Sequence, residues 1–218
     1  MKPGNPARGG ITALAERDVA ALAAHGVERS FARGAVVVSE GDTTDALYIV
    51  LSGRVKVFVA DPEGRELVLG EMLKGEYFGE MVLDGGARSA SIMTLEKTRF
   101  AVVSRDAFVA YLNGNPAFAL RLIKQLIRRV RTLTGSVKSL ALLDVYGRVA
   151  RLLIELAEPD GAGSDAIIPG RLTHQEIASR IGASREMVTR ILKDLQTGGY
   201  IVVEAGRIVV KKELPAHW

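Results

Sequence analysis

The chain has no cysteine among its 218 residues. That excludes a disulfide scaffold, a thiolate zinc or iron–sulfur centre and a cysteine nucleophile. Histidine is nearly as scarce, and His25, His174 and His217 are scattered in a way that suggests neither a haem nor a metal site. No apolar run approaches the roughly 18 residues of a membrane span. The opening stretch Met1-Lys2-Pro3-Gly4-Asn5-Pro6 has no apolar signal core. A soluble, cytoplasmic protein with no membrane partner is therefore expected. Charge of one sign is also lacking: the formal net charge is only +4, and alone it does not announce nucleic-acid binding. The basic excess is local. Residues 113–143 carry 6 basic and no acidic side chains, whereas 1–112 carry 13 and 15, and 144–218 carry 10 and 10.

With 48% hydrophobic residues the chain can bury a core, and its length suits one large domain or two small ones at about 100–200 residues each. Residues 1–10 are rich in glycine and proline and are expected to fray. A short helix is expected over 13–24. From about Ser30 to Ser104 the texture changes to short β-rich runs: Ala35–Val38, Leu47–Leu51, Arg54–Val59, Leu67–Leu69, Ser89–Thr94 and Arg99–Val103. Glycine-bearing turns separate them, among them Asp61-Pro62-Glu63-Gly64, where Pro62 presets the first corner of a hairpin. Many short strands at regular spacing suggest a sandwich, roll or barrel.

After Asn113-Gly114-Asn115-Pro116 the period changes. Ile123, Leu126, Val130, Leu133, Val137 and Leu140 alternate steps of three and four, an a/d heptad seam. A lone amphipathic helix usually packs on its own domain. The narrowness of this stripe and its unbroken run to Leu140 favour a seam between two copies. Gly135 within it costs about 1 kcal/mol relative to alanine and marks a close contact or a hinge. A further helix is expected over Val145–Ala157, then a loop over 159–164.

Thr173 followed by Glu176 forms a capping box. The short helix it opens breaks at Gly182, and Ser184 caps a second helix with Val188, Ile191, Leu192 and Leu195 inward. Two short helices joined by a glycine turn make a helix-turn-helix, and Ile201–Val203 with Ile208–Val210 add a hairpin wing. The outer face of the second helix offers Arg185, Glu186, Thr189 and Arg190, with Lys193 further along. Arginine forks can bind guanine O6 and N7, and a glutamate can accept from cytosine N4. Any one of these residues alone would be an ordinary solvated face. Together with the caps and the wing they point to DNA.

The turn Gly75-Glu76-Tyr77-Phe78-Gly79-Glu80-Met81 leads through Asp84-Gly85-Gly86 to Arg88-Ser89-Ala90. Glycine at 79 lets the backbone approach an anion closely. Arg88 can pair bidentately with a phosphodiester, Ser89 can donate a hydroxyl hydrogen bond, and Glu80 can accept from a ribose 2′-hydroxyl. Chemistry alone favours the plainer alternative, a structural Glu–Arg ion pair flanking a loop.

In order along the chain, Phe78-Gly79-Glu80-Met81 with Arg88-Ser89-Ala90, then Leu142-Leu143-Asp144-Val145-Tyr146-Gly147-Arg148-Val149, then Ser184–Leu192 resemble the cyclic-AMP receptor protein/FNR family of bacterial transcription regulators. The resemblance runs from about residue 13 to 212. It implies an α+β architecture: a cyclic-nucleotide-binding β-roll over 1–112, a dimerisation helix over 113–143, and a winged helix-turn-helix over 144–218. It implies a homodimer, double-stranded DNA and RNA polymerase as partners, and cyclic AMP as the effector, with no cofactor. By the resemblance Gly79 and Ser89 bind phosphate, Arg88 neutralises it and Glu80 holds the ribose, with Met81 and Ala90 beside them. Arg185, Glu186 and Arg190 read a TGTGA-like half-site, and Thr173, Ser184, Thr189 and Lys193 complete the DNA face. The sequence departs from the family in two places. The loop from Glu80 to Arg88 is shorter than in many relatives. The two helix positions that meet the nucleobase hold Leu133 and Thr134, so one hydroxyl is lost. Cyclic GMP, cyclic di-GMP or an effector-independent β-roll therefore stay open. An enzyme, such as a nucleotide hydrolase using Glu80, is not expected, because the chain lacks a nucleophile–base pair, a metal cluster and a phosphate-binding P-loop.

Overall fold

The computed structural model describes residues 16–159, 165–211 and 214. The chain divides into two compact units, 1–59 with 69–132 and 60–68 with 133–218.

Over residues 27–104 short strands build two four-stranded sheets. One has the order β1-β8-β3-β6, from Val27–Phe31, Thr98–Ser104, Ala46–Ser52 and Tyr77–Phe78. The other has the order β2-β7-β4-β5, from Val36–Val38, Ser91–Thr94, Arg54–Ala60 and Glu66–Leu73. Neighbouring strands are antiparallel where their register is known, so alternate side chains reach one core face. Val38, Val50, Val55, Phe78, Ile92 and Phe100 fill one cluster, with Tyr48 stacked on Phe78 at 4.9 Å and Phe100 edge-on to both. The β4–β5 turn follows the expected chemistry: Asp61 accepts from the Arg65 N–H at 2.8 Å and from Arg65 Nε at 2.6 Å. The Arg65 backbone N–H is the main reason the Asp61 carboxyl lies below its ordinary value.

Helices α1 (Glu16–Ala23), α2 (Arg105–Gly114) and the first part of α3 (Pro116–Leu142) supply the second cluster. There Leu22, Phe108, Phe118 and Leu122 meet Leu47, Ile49 and Tyr77. Buried Asp18 takes a bidentate grip from Arg121, at 2.9 and 2.7 Å, and so ties α1 to α3. The first part of the helix expected over 13–24, residues 13–15, lies outside the described residues. Strand β1 and helix α2 were among the elements not expected. Strand β1 is mostly exposed and carries Glu28, Arg29 and Ser30, so it lacks an apolar alternation. Helix α2 is capped by Ser104, whose hydroxyl accepts from the Ala107 N–H at 3.3 Å.

Helix α3 runs unbroken for 27 residues, about 40 Å. Its stripe differs from the expected seam by one residue. Leu126 turns inward against the first unit's core, and Ile127 takes its place outside. The exposed row reads Leu120, Ile123, Ile127, Val130, Leu133, Val137 and Leu140. Gly135 has open space around it. An added Cβ would meet only Arg151, at 3.9 Å.

In the second unit Asp144 caps α4 (Val145–Leu156) through the Gly147 N–H at 2.7 Å. Arg148 donates to the Leu143 carbonyl at 3.1 Å. Buried Val149, Leu153, Ile177, Val188 and Leu195 pack α4 against α5 (His174–Ile181) and α6 (Arg185–Thr197). The sheet β11-β12-β10-β9, from Ile201–Glu204, Arg207–Val210, Ala166–Ile167 and Glu158–Pro159, completes the unit. Ala205 and Gly206 turn the β11–β12 hairpin with φ of 48° and 77°, the two-residue turn that matches the strand twist. The loop expected at 159–164 begins as paired β9, and 160–164 lie outside the described residues.

Candidate functional site

The first site is built where β6 ends. Gly79, at φ 88°, leads into a single 3-10 turn, Glu80–Leu83. Its missing side chain makes room. A Cβ at 79 would stand 2.5 Å from Arg88 Nη1 and 2.7 Å from the Ala46 carbonyl. Arg88, only 6% exposed, enters that space. Its Nε donates to Thr44 Oγ1 at 2.7 Å, and its Nη2 donates to the carbonyls of Thr44 and Ala46. Nη1 is buried and has no hydrogen-bond partner. Burial pushes the guanidinium below its ordinary value, while Tyr48, Glu80, Asp42 and Asp45 act the other way. An arginine remains cationic under such conditions, so the site holds a buried positive charge with both N–H groups of Nη1 unspent. Two of the three guanidinium nitrogens thus serve Thr44 and Ala46.

Glu80 does not pair with Arg88. It meets Arg129 of α3, whose Nη1 donates to Glu80 Oε1 at 2.7 Å and whose Nη2 donates to the Tyr77 carbonyl at 2.6 Å. The same guanidinium lies 4.8 Å from the centre of the Tyr77 ring. Burial drives the Tyr77 phenol well above its usual range. Arg129 was not singled out in the sequence, where it is one of several basic residues off the apolar stripe. Met81 and Ser89 are exposed and Ala90 half-buried, all beside Gly79, Glu80 and Arg88 in the chain. Leu133 and Thr134 are exposed on α3, in the second unit. Thr132, half-buried, donates to the Arg128 carbonyl at 3.2 Å.

The second site is the helix-turn-helix. The capping box is complete: Thr173 Oγ1 accepts from the Glu176 N–H at 3.1 Å, and Glu176 Oε2 accepts from the Thr173 N–H at 2.7 Å. Gly182 ends α5 at φ 63°, a conformation glycine adopts without penalty. Ser184 Oγ accepts from the Met187 N–H at 3.2 Å and opens α6. Arg185, Glu186, Thr189, Arg190 and Lys193 are all exposed, and their spacing sets them along one face. His174 of α5 reaches this face, its Nδ1 standing 2.8 Å from Thr189 Oγ1. In the sequence the histidine pointed to neither a haem nor a metal site.

A buried arginine beneath a glycine turn in a β-roll, followed by a winged helix-turn-helix, defines an effector-domain and DNA-binding-domain regulator. The cyclic nucleotide-binding domain family matches residues 28–115, and the Crp-like helix-turn-helix domain matches 147–213. The chain belongs to the cyclic-AMP receptor protein/FNR family of transcription regulators. It is 36% identical over 183 residues to the CRP-like cAMP-activated global transcriptional regulator of Mycobacterium tuberculosis, covering 83% of this chain and 82% of that protein. It is 33% identical over 195 residues to the cAMP-activated global transcriptional regulator Vfr of Pseudomonas aeruginosa, covering 87% and 91%. Among solved structures, the c-di-GMP responsive global regulator CLP of Xanthomonas campestris matches with a TM-score of 0.77 and 30% identity, over 90% of this chain and 100% of that one. Among the described residues no helix is long and apolar enough to cross a membrane.

Proposed function

We propose that the chain is a homodimeric transcription regulator, working in the cytoplasm with RNA polymerase, whose β-roll takes cyclic AMP. Its recognition helices read a palindromic operator of TGTGA-like half-sites. The division into a β-roll to about residue 112, a dimer helix to about 143 and a DNA-binding domain is part of this reading. The observation that carries it is the unspent, buried Nη1 of Arg88 against Gly79, a donor that a phosphodiester anion satisfies. Such a group is costly to leave unpaired. Gly79 and Ser89 then complete the phosphate cradle, with Met81 and Ala90 bordering it. Glu80 gives Oε1 to Arg129 and offers Oε2 to a ribose hydroxyl. The exposed row on α3 supports dimerisation, since seven apolar side chains along it are otherwise left to water. Arg185, Glu186 and Arg190 contact base edges, with Thr173, Ser184, Thr189 and Lys193 around them. No catalysis is assigned.

Calorimetric titration of the full chain with cyclic AMP tests the effector. Saturable micromolar binding, one site per β-roll, is expected. Absence of both heat and competition refutes that ligand. A second reading, cyclic di-GMP, is favoured by the likeness to the CLP regulator and by Leu133 in place of a hydroxyl. It takes over if cyclic di-GMP alone saturates the protein.

A further inference from the structure

A guanidinium has five N–H groups. On Arg88 three are spent: Nε on the Thr44 hydroxyl at 2.7 Å, and Nη2 on the Thr44 and Ala46 carbonyls. The remaining two are both on Nη1, which is buried close to where a Cβ at Gly79 would stand. Thr44 therefore takes both prongs of the fork, Nε with its side chain and Nη2 with its backbone. The backbones of the two segments are already joined. The Arg88 N–H donates to the Asp42 carbonyl at 2.8 Å, and the Arg88 carbonyl accepts from the Gly41 N–H at 2.8 Å. What remains to be set is the direction of the guanidinium. Two of its three acceptors are carbonyls that any residue at 44 and 46 would supply. Only Thr44 Oγ1 is contributed by a side chain. Thr44 is also exposed, so without its hydroxyl water competes for Nε and the plane is no longer held at its root.

We infer that Thr44 is a positioning residue of the effector site, whose hydroxyl aims Arg88 Nη1 at the anion of the ligand. The inference rests on the effector reading proposed above and deepens it. The ligand chemistry concerned is the phosphodiester, which cyclic AMP and cyclic di-GMP share. A ligand that needs the aimed arginine meets it only in the fraction of molecules that hold it so, and its apparent affinity falls with that fraction. Losing one hydrogen bond to a charged donor is expected to weaken binding about tenfold.

The test titrates the full chain, Thr44→Val and Thr44→Ser with cyclic AMP in a calorimeter, or with cyclic di-GMP if that nucleotide saturates the parent instead. Thr44→Val keeps the shape and loses the hydroxyl, and is expected to bind about tenfold more weakly. Thr44→Ser keeps the hydroxyl and is expected to bind as the parent does. Nitrogen-15 spectra of the unliganded proteins supply a second reading. The Arg88 Nε–H signal, assigned by its loss in Arg88→Lys, is expected to exchange slowly with water in the parent and the serine variant and rapidly in the valine variant. A purely structural threonine would lower the melting temperature of the valine variant and leave both its affinity and this signal unmoved. That result, a valine variant that binds as tightly as the parent or tighter, or a serine variant as weak as valine, overturns the inference and leaves the effector reading intact. A parent that binds neither nucleotide refutes that reading, and the inference with it.

Discussion

Removing Arg88 is expected to unfold as well as to disarm. The guanidinium is 6% exposed and donates to Thr44 Oγ1, the Thr44 carbonyl and the Ala46 carbonyl. Hydrogen bonds to a charged donor are worth about 1.5–3 kcal/mol each. Against that gross sum stands the cost of holding a charge away from water, several kcal/mol in a protein interior. Arg88→Ala also leaves three acceptors without their donor and a void beneath Gly79, with exposed Ser89 next in the chain to admit water. The expected net loss is about 3 kcal/mol, and at roughly 3–4 °C per kcal/mol for a unit of this size the melting temperature falls by about 10 °C. Calorimetric melting of the parent, Arg88→Ala and Arg88→Lys measures it. The lysine variant restores the charge without the fork and should recover only part of the loss. An alanine variant melting within about 2 °C of the parent would refute the claim that this arginine holds the strand β3 backbone in place. Loss of nucleotide binding would then be the variant's only defect.

Three further outcomes are expected. Thr173→Ala removes one half of the capping box and should cost about 1 kcal/mol, read as a lower urea midpoint at unchanged slope. Asp61 holds its carboxyl below the ordinary 3.8, so its contribution is present at neutral pH and is lost as the pH falls through the depressed value. A carboxyl carbon titration by NMR with a midpoint at or above 3.8 would contradict the turn described here. Val130→Glu with Val137→Glu places two charges on the exposed row of α3 and should give a monomer in sedimentation. A dimer that persists would place the contact between copies elsewhere.

The helix-turn-helix was legible because its signals are local. Thr173 with Glu176, Gly182 and Ser184 each act within one turn of backbone, and that turn needs nothing distant to form. The β4–β5 turn is legible for the same reason. The partners of Arg88 and Glu80 were not. Thr44 and Ala46 lie more than forty residues from Arg88 and contribute carbonyls that every residue possesses. Arg129 lies 49 residues from Glu80 and differs from its basic neighbours only by the face it occupies. Leu126 and Ile127 are both apolar, and which of the two turns inward is decided by the core packed against the helix, which the sequence pattern does not display. Strand β1 escaped notice because its pairing with β8 comes from backbone groups, whatever its side chains.

Helix α3 also imposes a phase. Each residue of an α-helix advances the chain by about 1.5 Å and turns it by about 100°. The helix is continuous for 27 residues, and its end is fastened by Arg148 and by the Asp144 cap of α4. A single inserted or deleted residue therefore turns the helix face beyond it by more than a quarter turn. Insertions of 7 or 11 residues bring the rotation back to within about 20° of the start. Along this rod, changes of sequence can be gradual, but changes of length come in quanta.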